Sequence, residues 1–130
     1  MKVKSAVVGI GHLGRYHAEK YYKSSDAELV ALVDPNPENA SKLASKYGAI
    51  YSADYKILPG LGVKCASVAS NTSTHFEIAS YLLENGIDVL VEKPVTTNSA
   101  DAKRLVELAK QNERIYQAGH LERFNPAFRA

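Results

Sequence analysis

Short apolar runs and amphipathic stretches alternate along the whole chain. Val3 to Ile10 is apolar and β-branched, the pattern of a strand covered on both faces. Helical periodicity follows, and Leu29-Val30-Ala31-Leu32-Val33 forms a second strand-like run. Glu38 to Tyr47 reads as a helix closed by Gly48, and Ala49-Ile50-Tyr51 as a short strand. Asp54 to Leu58 reads as a helical turn ended by Pro59-Gly60. Cys65-Ala66-Ser67-Val68-Ala69 is a small-residue strand suited to a sheet centre. Thr74 to Glu84 puts Phe76, Ala79, Leu82 and Leu83 on one helical face, with Asn85-Gly86 as the stop. Ile87 to Val91 is the next buried strand. Asn98 caps a helix to about Asn112 whose Ala102, Leu105, Val106, Leu108 and Ala109 face inward, and Arg114 to Ala118 is the last strand. Such alternation, joined by right-handed crossovers, predicts an α/β fold. It is a doubly wound parallel sheet of about six strands with helices on both faces. No repeat, low-complexity tract or linker interrupts it.

Composition narrows the classes. At 130 residues the chain is one domain, long enough to bury about two-thirds of its unfolded surface. A net charge of +2 without a basic stripe argues against a nucleic-acid partner. No run approaches membrane-spanning length and no signal-peptide segment precedes the first strand, so no membrane partner and a cytoplasmic location are expected. The single cysteine, Cys65, excludes an internal disulfide and reads as a buried, inert thiol.

The first strand ends in Gly9-Ile10-Gly11-His12-Leu13-Gly14, and Asp34 closes the second strand twenty positions after Gly14. Strand, glycines, helix, second strand and terminal acid together are the arrangement of a dinucleotide-binding βαβ unit. Gly9 lets the chain turn sharply. Gly11 leaves no side chain between backbone and pyrophosphate, and Gly14 lets the helix pack close to the strand. The helix N-terminus, with the N–H groups of His12, Leu13 and Gly14, faces the phosphates. Asp34 accepts hydrogen bonds from the ribose hydroxyls. Its charge would repel a 2′-phosphate, and neither Pro35 nor Asn36 supplies an arginine, which selects NAD as the cofactor.

Sheets of this kind bind ligands at the carboxyl ends of their strands. Those ends hold Gly9 and Gly11, Asp34, Ser70-Asn71-Thr72, Glu92-Lys93-Pro94 and Gly119-His120. On Glu92-Lys93-Pro94 after the fifth strand, Asn71-Thr72-Ser73-Thr74-His75 after the fourth, and Gly119-His120 with Arg123-Phe124-Asn125-Pro126 after the last, the chain resembles the N-terminal Rossmann domain of the glucose-fructose oxidoreductase/inositol dehydrogenase (Gfo/Idh/MocA) family. Residues 11–18 and 119–127 are most similar to the UDP-N-acetylglucosamine 3-dehydrogenase branch. The chain departs from the family in having Asn71-Thr72 where many members carry a proline, so a different loop shape is expected there. It is also less than half as long. The resemblance therefore implies an NAD-binding domain over residues 1–120, with residues 121–130 starting the crossover to a C-terminal substrate domain. That domain would contribute a further catalytic group and most of a homo-oligomer contact.

The resemblance implies roles for single residues. Lys93 is the catalytic candidate, beside both the nicotinamide and a substrate hydroxyl. The cationic oxidised nicotinamide favours the neutral amine, which accepts a proton. Glu92 is expected to orient Lys93 or touch the cofactor, and Pro94 to fix the loop direction. Ser70, Asn71, Thr72 and His75 are cofactor-side candidates, His75 equally a packing or capping residue. Lys93, His120, Arg123 and Asn125 are candidates for the substrate's polar groups. His17 reads as structural, the eight tyrosines as sheet–helix packing, and the scattered histidines make no metal site. The expected activity is NAD-dependent oxidation of a secondary hydroxyl on a small-molecule sugar or nucleotide-sugar. The alternative is a non-catalytic NAD-binding sensor.

Overall fold

In a computed structural model, which describes residues 2–93 and 98–119, six parallel strands lie in the order β3-β2-β1-β4-β5-β6. They are β1 (Val3–Val8), β2 (Ala27–Val33), β3 (Ile50–Ser52), β4 (Cys65–Val68), β5 (Asp88–Val91) and β6 (Tyr116–Ala118). The helices are α1 (His12–Lys23), α2 (Pro37–Tyr47), α3 (Thr72–Glu84) and α4 (Ser99–Gln111). The order reverses between β1 and β4, the switch point at which such sheets bind ligands.

Strand alternation sorts the core into two layers. Ala6, Val8, Ala31, Val33, Ala66, Val68, Val89 and Val91 face α3 and α4, meeting Ile78, Leu82, Leu83, Leu105 and Leu108. Val7, Leu29, Leu32, Cys65 and Leu90 face the other way, meeting Ala18 and Tyr21 of α1 and Ala40 and Ala44 of α2. Helices thus cover both faces, as the sequence predicts. Truncating a fully buried leucine such as Leu82 would cost about 2–5 kcal/mol.

The register aligns the strand ends. Ser52, Val33, Val8, Val68, Val91 and Ala118 form one row across the sheet. The next row holds Asp34, Gly9, Ala69, Glu92 and Gly119, and each of these N–H groups still bonds a carbonyl of the neighbouring strand at 2.7–3.1 Å. Asp34 and Glu92 are therefore three interstrand spacings apart along that edge, about 14 Å.

Local chemistry moves several element ends. Asn36 caps α2 by accepting from the Glu38 N–H, with Pro37 at the first helical position and Gly48 left-handed at the end. α3 begins at Thr72, two residues before the expected start, and buries His75, Ile78, Ala79, Leu82 and Leu83; Phe76 is only half-buried. In α4, Val106 is 43% exposed, a correction to its inward assignment: it sits one residue after Leu105, a step of 100° round the helix, outside the buried stripe. Pro59 does not end the turn at 55–57 but opens a second 3₁₀ turn over Pro59–Leu61, since its fixed φ suits a first helical position.

Candidate functional site

The glycine loop spans the turn from β1 into α1, and each glycine there answers to a different constraint. Gly9 has φ +92°, and a Cβ on it would overlap the backbone of Ser70. A Cβ on Gly14 would overlap the Gly9 carbonyl, so this glycine sets the close approach of α1 to the loop. A Cβ on Gly11 would meet no atom of the described residues within 4 Å. Among the described residues no packing contact demands a glycine at position 11; the space it leaves belongs to the cleft. Gly11 is also the N-cap of α1 and offers no side-chain oxygen, and no acid sits in the first turn. The first N–H groups of the helix, at His12, Leu13 and Gly14, thus have no acidic side chain of their own turn against the positive dipole end.

Asp34 lies across from this loop, 7% exposed. Its Oδ2 accepts the Ile10 N–H at 2.8 Å. Its Oδ1 accepts the Asn36 N–H at 2.8 Å and, more loosely, the Asn39 amide at 3.3 Å. A carboxylate has about four lone-pair sites, so three are engaged and one on Oδ2 remains for a ribose hydroxyl; a second hydroxyl would take the place of the Asn39 amide.

Between these groups lies a cleft of about 520 Å³, lined by Gly9, Gly11, Asp34, Pro35, Asn36, Asn39, Tyr55, Ser70, Asn71, Thr74, Glu77 and Ile78 among others. The cleft suits the adenosine–pyrophosphate half of a dinucleotide: a dipole end without a carboxylate, a missing Cβ where phosphate would lie, and an acid beyond it. Thr72 is not part of this wall, whereas Thr74, two residues further and with its hydroxyl 2.8 Å from Ser70 Oγ, is. Tyr55 and Glu77 also form wall, and the Tyr55 hydroxyl donates to Glu77 Oε2 at 2.8 Å. Burial first, then the Glu77 bond, pushes this phenol up to about 12. Tyr51 donates to the Asp34 carbonyl at 2.8 Å. Sequence reading missed these two tyrosines, because nothing in their spacing separates them from packing residues.

His75 is buried, and its Nε2 donates to the Ser70 carbonyl at 2.7 Å. This bond ties the first turn of α3 to the loop that precedes it. Glu92 is 3% exposed and turns under α1, where its Oε2 lies 2.7 Å from His17 Nε2. Strand alternation sends residue 92 to the α1 side, as it does Leu90. Burial outweighs the hydrogen bond and charge of Glu92 and holds the His17 pKa below its usual value. Because a carboxylate oxygen accepts, Nε2 is the donor in this bond. Lys93 follows at the sheet edge with an exposed side chain. Pro94, His120, Arg123 and Asn125 lie outside the described residues. Among the described residues no cluster of three metal-ligating side chains occurs, and no helix is long and apolar enough to cross a membrane.

Comparison with known proteins agrees with this geometry. Residues 3–120 match the profile of a family described as an oxidoreductase family with the NAD-binding Rossmann fold. The chain is 33% identical over 127 residues to UDP-N-acetylglucosamine 3-dehydrogenase of Acidithiobacillus ferrooxidans, covering 96% of this chain and 39% of that enzyme. A solved structure of the same enzyme superposes with a TM-score of 0.86 at 31% identity, covering 98% of this chain and 42% of the other. Identity to scyllo-inositol 2-dehydrogenase (NAD(+)) of Bacillus subtilis is 35% over 130 residues, covering 98% of this chain and 38% of that enzyme. GenD2 from gentamicin A biosynthesis, solved in complex with NAD, gives a TM-score of 0.87 at 28% identity, covering 91% and 34%. The chain spans about two-fifths of the length of the curated relatives it matches.

Proposed function

The chain belongs to this NAD-binding oxidoreductase family, and from that premise we propose that it is the cofactor domain of a dehydrogenase acting on a secondary hydroxyl of a sugar, an inositol or a nucleotide-sugar. UDP-N-acetylglucosamine, oxidised at C3, is the first candidate. The observation that carries this reading is the single row of strand ends. It sets Asp34, the glycine loop and the Glu92-Lys93 pair along one edge, about 14 Å from end to end. Such a span suits a dinucleotide laid across the edge with its pyrophosphate at the middle and its nicotinamide towards Lys93.

Each group then has a task. Asp34 receives the adenosine ribose and disfavours a 2′-phosphate, so NAD is preferred over NADP. The N-terminus of α1 holds the pyrophosphate. Lys93 accepts the hydroxyl proton of the substrate while the carbinol hydrogen leaves as hydride, converting C–OH to C=O. NAD, when bound, supplies the hydride acceptor. Holding the carbinol carbon against the cofactor in a water-poor pocket needs a second wall; we assign that wall to a substrate domain following residue 120, reached through residues 121–130 and associated with homo-oligomer contacts.

The test is turnover by the full-length gene product with UDP-N-acetylglucosamine, other UDP-sugars, scyllo-inositol and myo-inositol, in wild type and Lys93→Met. The reading expects NADH formation with one of these classes and loss of most turnover in Lys93→Met with NAD binding kept. Undiminished turnover in Lys93→Met removes the lysine from the reaction, and NAD binding without turnover on any of them favours a sensor.

A further inference from the structure

His17 and Glu92 form a buried polar side-chain pair whose members come from two different parts of the site. His17 lies in α1, about 7.5 Å along the axis from its first residue, on the buried face it shares with Gly14, Ala18 and Tyr21. Glu92 is the first residue after β5 and still bonds through its N–H to the Val68 carbonyl at 3.1 Å. Their side chains are 0% and 4% exposed, with Nε2 and Oε2 2.7 Å apart. His17 Nδ1 has no hydrogen-bond partner among the described residues.

Stability alone does not account for such a pair. A well-packed apolar pair of similar volume stabilises a fold as much or more, because two polar groups must be stripped of water to meet. What the polar pair adds is geometry: the donor Nε2 and the acceptor Oε2 meet at a single relative placement of α1 and the end of β5. α1 carries the phosphate-facing N–H groups at its start. The end of β5 carries Lys93. With Glu92 drawn under α1, alternation along the strand turns the next side chain the other way, out at the sheet edge.

We propose that His17 is a positioning residue for Lys93: through Glu92 it fixes the point at which β5 delivers the lysine relative to the dinucleotide cradle of α1. The inference rests on the reading of Lys93 as the residue beside the nicotinamide. His17 itself touches neither cofactor nor substrate.

Two amides separate this role from simple space-filling. Glutamine at position 17 can place an N–H near the site of Nε2; asparagine, chemically alike, is too short to reach it. Trace acetylation of Lys93 by acetic anhydride, read by peptide mass spectrometry with and without saturating NAD+, reports where the amine sits in the 130-residue chain. In wild type and His17→Gln, NAD+ is expected to slow acetylation of Lys93. In His17→Asn that protection is lost while calorimetry still shows NAD+ binding. In the full-length protein kcat of His17→Asn falls about 100-fold, the cost of a misplaced reacting group, with KM for NAD little changed and most of the loss recovered by His17→Gln.

Protection and turnover in His17→Asn equal to wild type would overturn the proposal, as would equal losses in both amides. Unprotected Lys93 in the wild type instead refutes the Lys93 reading, and the positioning role with it. Should His17→Asn fail to fold by circular dichroism, the double variant His17→Leu/Glu92→Leu removes the buried polar pair altogether. It is expected to fold and bind NAD+ with Lys93 unprotected; full protection there refutes the proposal.

Discussion

The Asp34 carboxylate accepts the Ile10 N–H at 2.8 Å, so the acid at the end of β2 holds the middle of the glycine loop at the end of β1. Selectivity for the ribose and the shape of the phosphate loop therefore depend on one side chain. Asp34→Asn would set an amide NH₂ against either the Ile10 or the Asn36 N–H, leaving a buried donor without its acceptor. The expected loss is about 1–3 kcal/mol, read as a lower urea midpoint without cofactor. An unchanged midpoint would show that the carboxylate is not what fixes the loop.

The three glycines of the loop should separate by experiment. Gly9→Ala and Gly14→Ala each meet backbone atoms that cannot move aside, so both are expected to destabilise the domain itself. Gly11→Val meets open space at a φ of −90° that valine adopts. It should melt near the wild-type temperature and lose NAD binding. Wild-type affinity in Gly11→Val would mean that the loop does not hold phosphate.

Stability should fall on acidification through His17. Burial keeps its pKa below the usual 6.5 in the folded chain. As pH drops under 6.5 the unfolded ring takes up its proton first, the unfolded state binds more protons, and folding free energy declines. Above that pH the ring contributes no slope. Urea titrations at stepped pH should show the decline, with its His17 part absent in His17→Gln. A stability that rises as pH falls through 6.5 would mean that Glu92 dominates and raises the pKa instead.

Cys65 is 5% exposed, and burial, with the charge of Asp88 next, pushes its thiol up to about 12. At pH 8 it should react with Ellman's reagent only when the chain opens, giving one thiol per chain in denaturant and almost none natively. Rapid native labelling would contradict the packing of β4 against α1.

Much of this was legible in the sequence because the strands are short, apolar and punctuated. The element order, the two-sided cover, the close backbone approaches at Gly9 and Gly14 and the position of Asp34 all follow from spacing. The missed features depend on contacts distant in sequence. Glu92 points to His17 because of strand phase and the neighbouring helix, and neither can be read from the Glu92-Lys93-Pro94 motif. Tyr51 and Tyr55 reach the site because β3 and the following turn fold back beside Asp34. Val106 looked inward because an apolar residue next to Leu105 fits a helical stripe that is narrower in the fold.

The most direct measurement is calorimetric titration of the 130-residue chain with NAD+ and with NADP+. The site as built predicts saturable one-to-one binding of NAD+, weaker binding of NADP+, and a preference relaxed or reversed in Asp34→Arg. Equal or tighter binding of NADP+ by the wild type, or no binding of either dinucleotide, would contradict it.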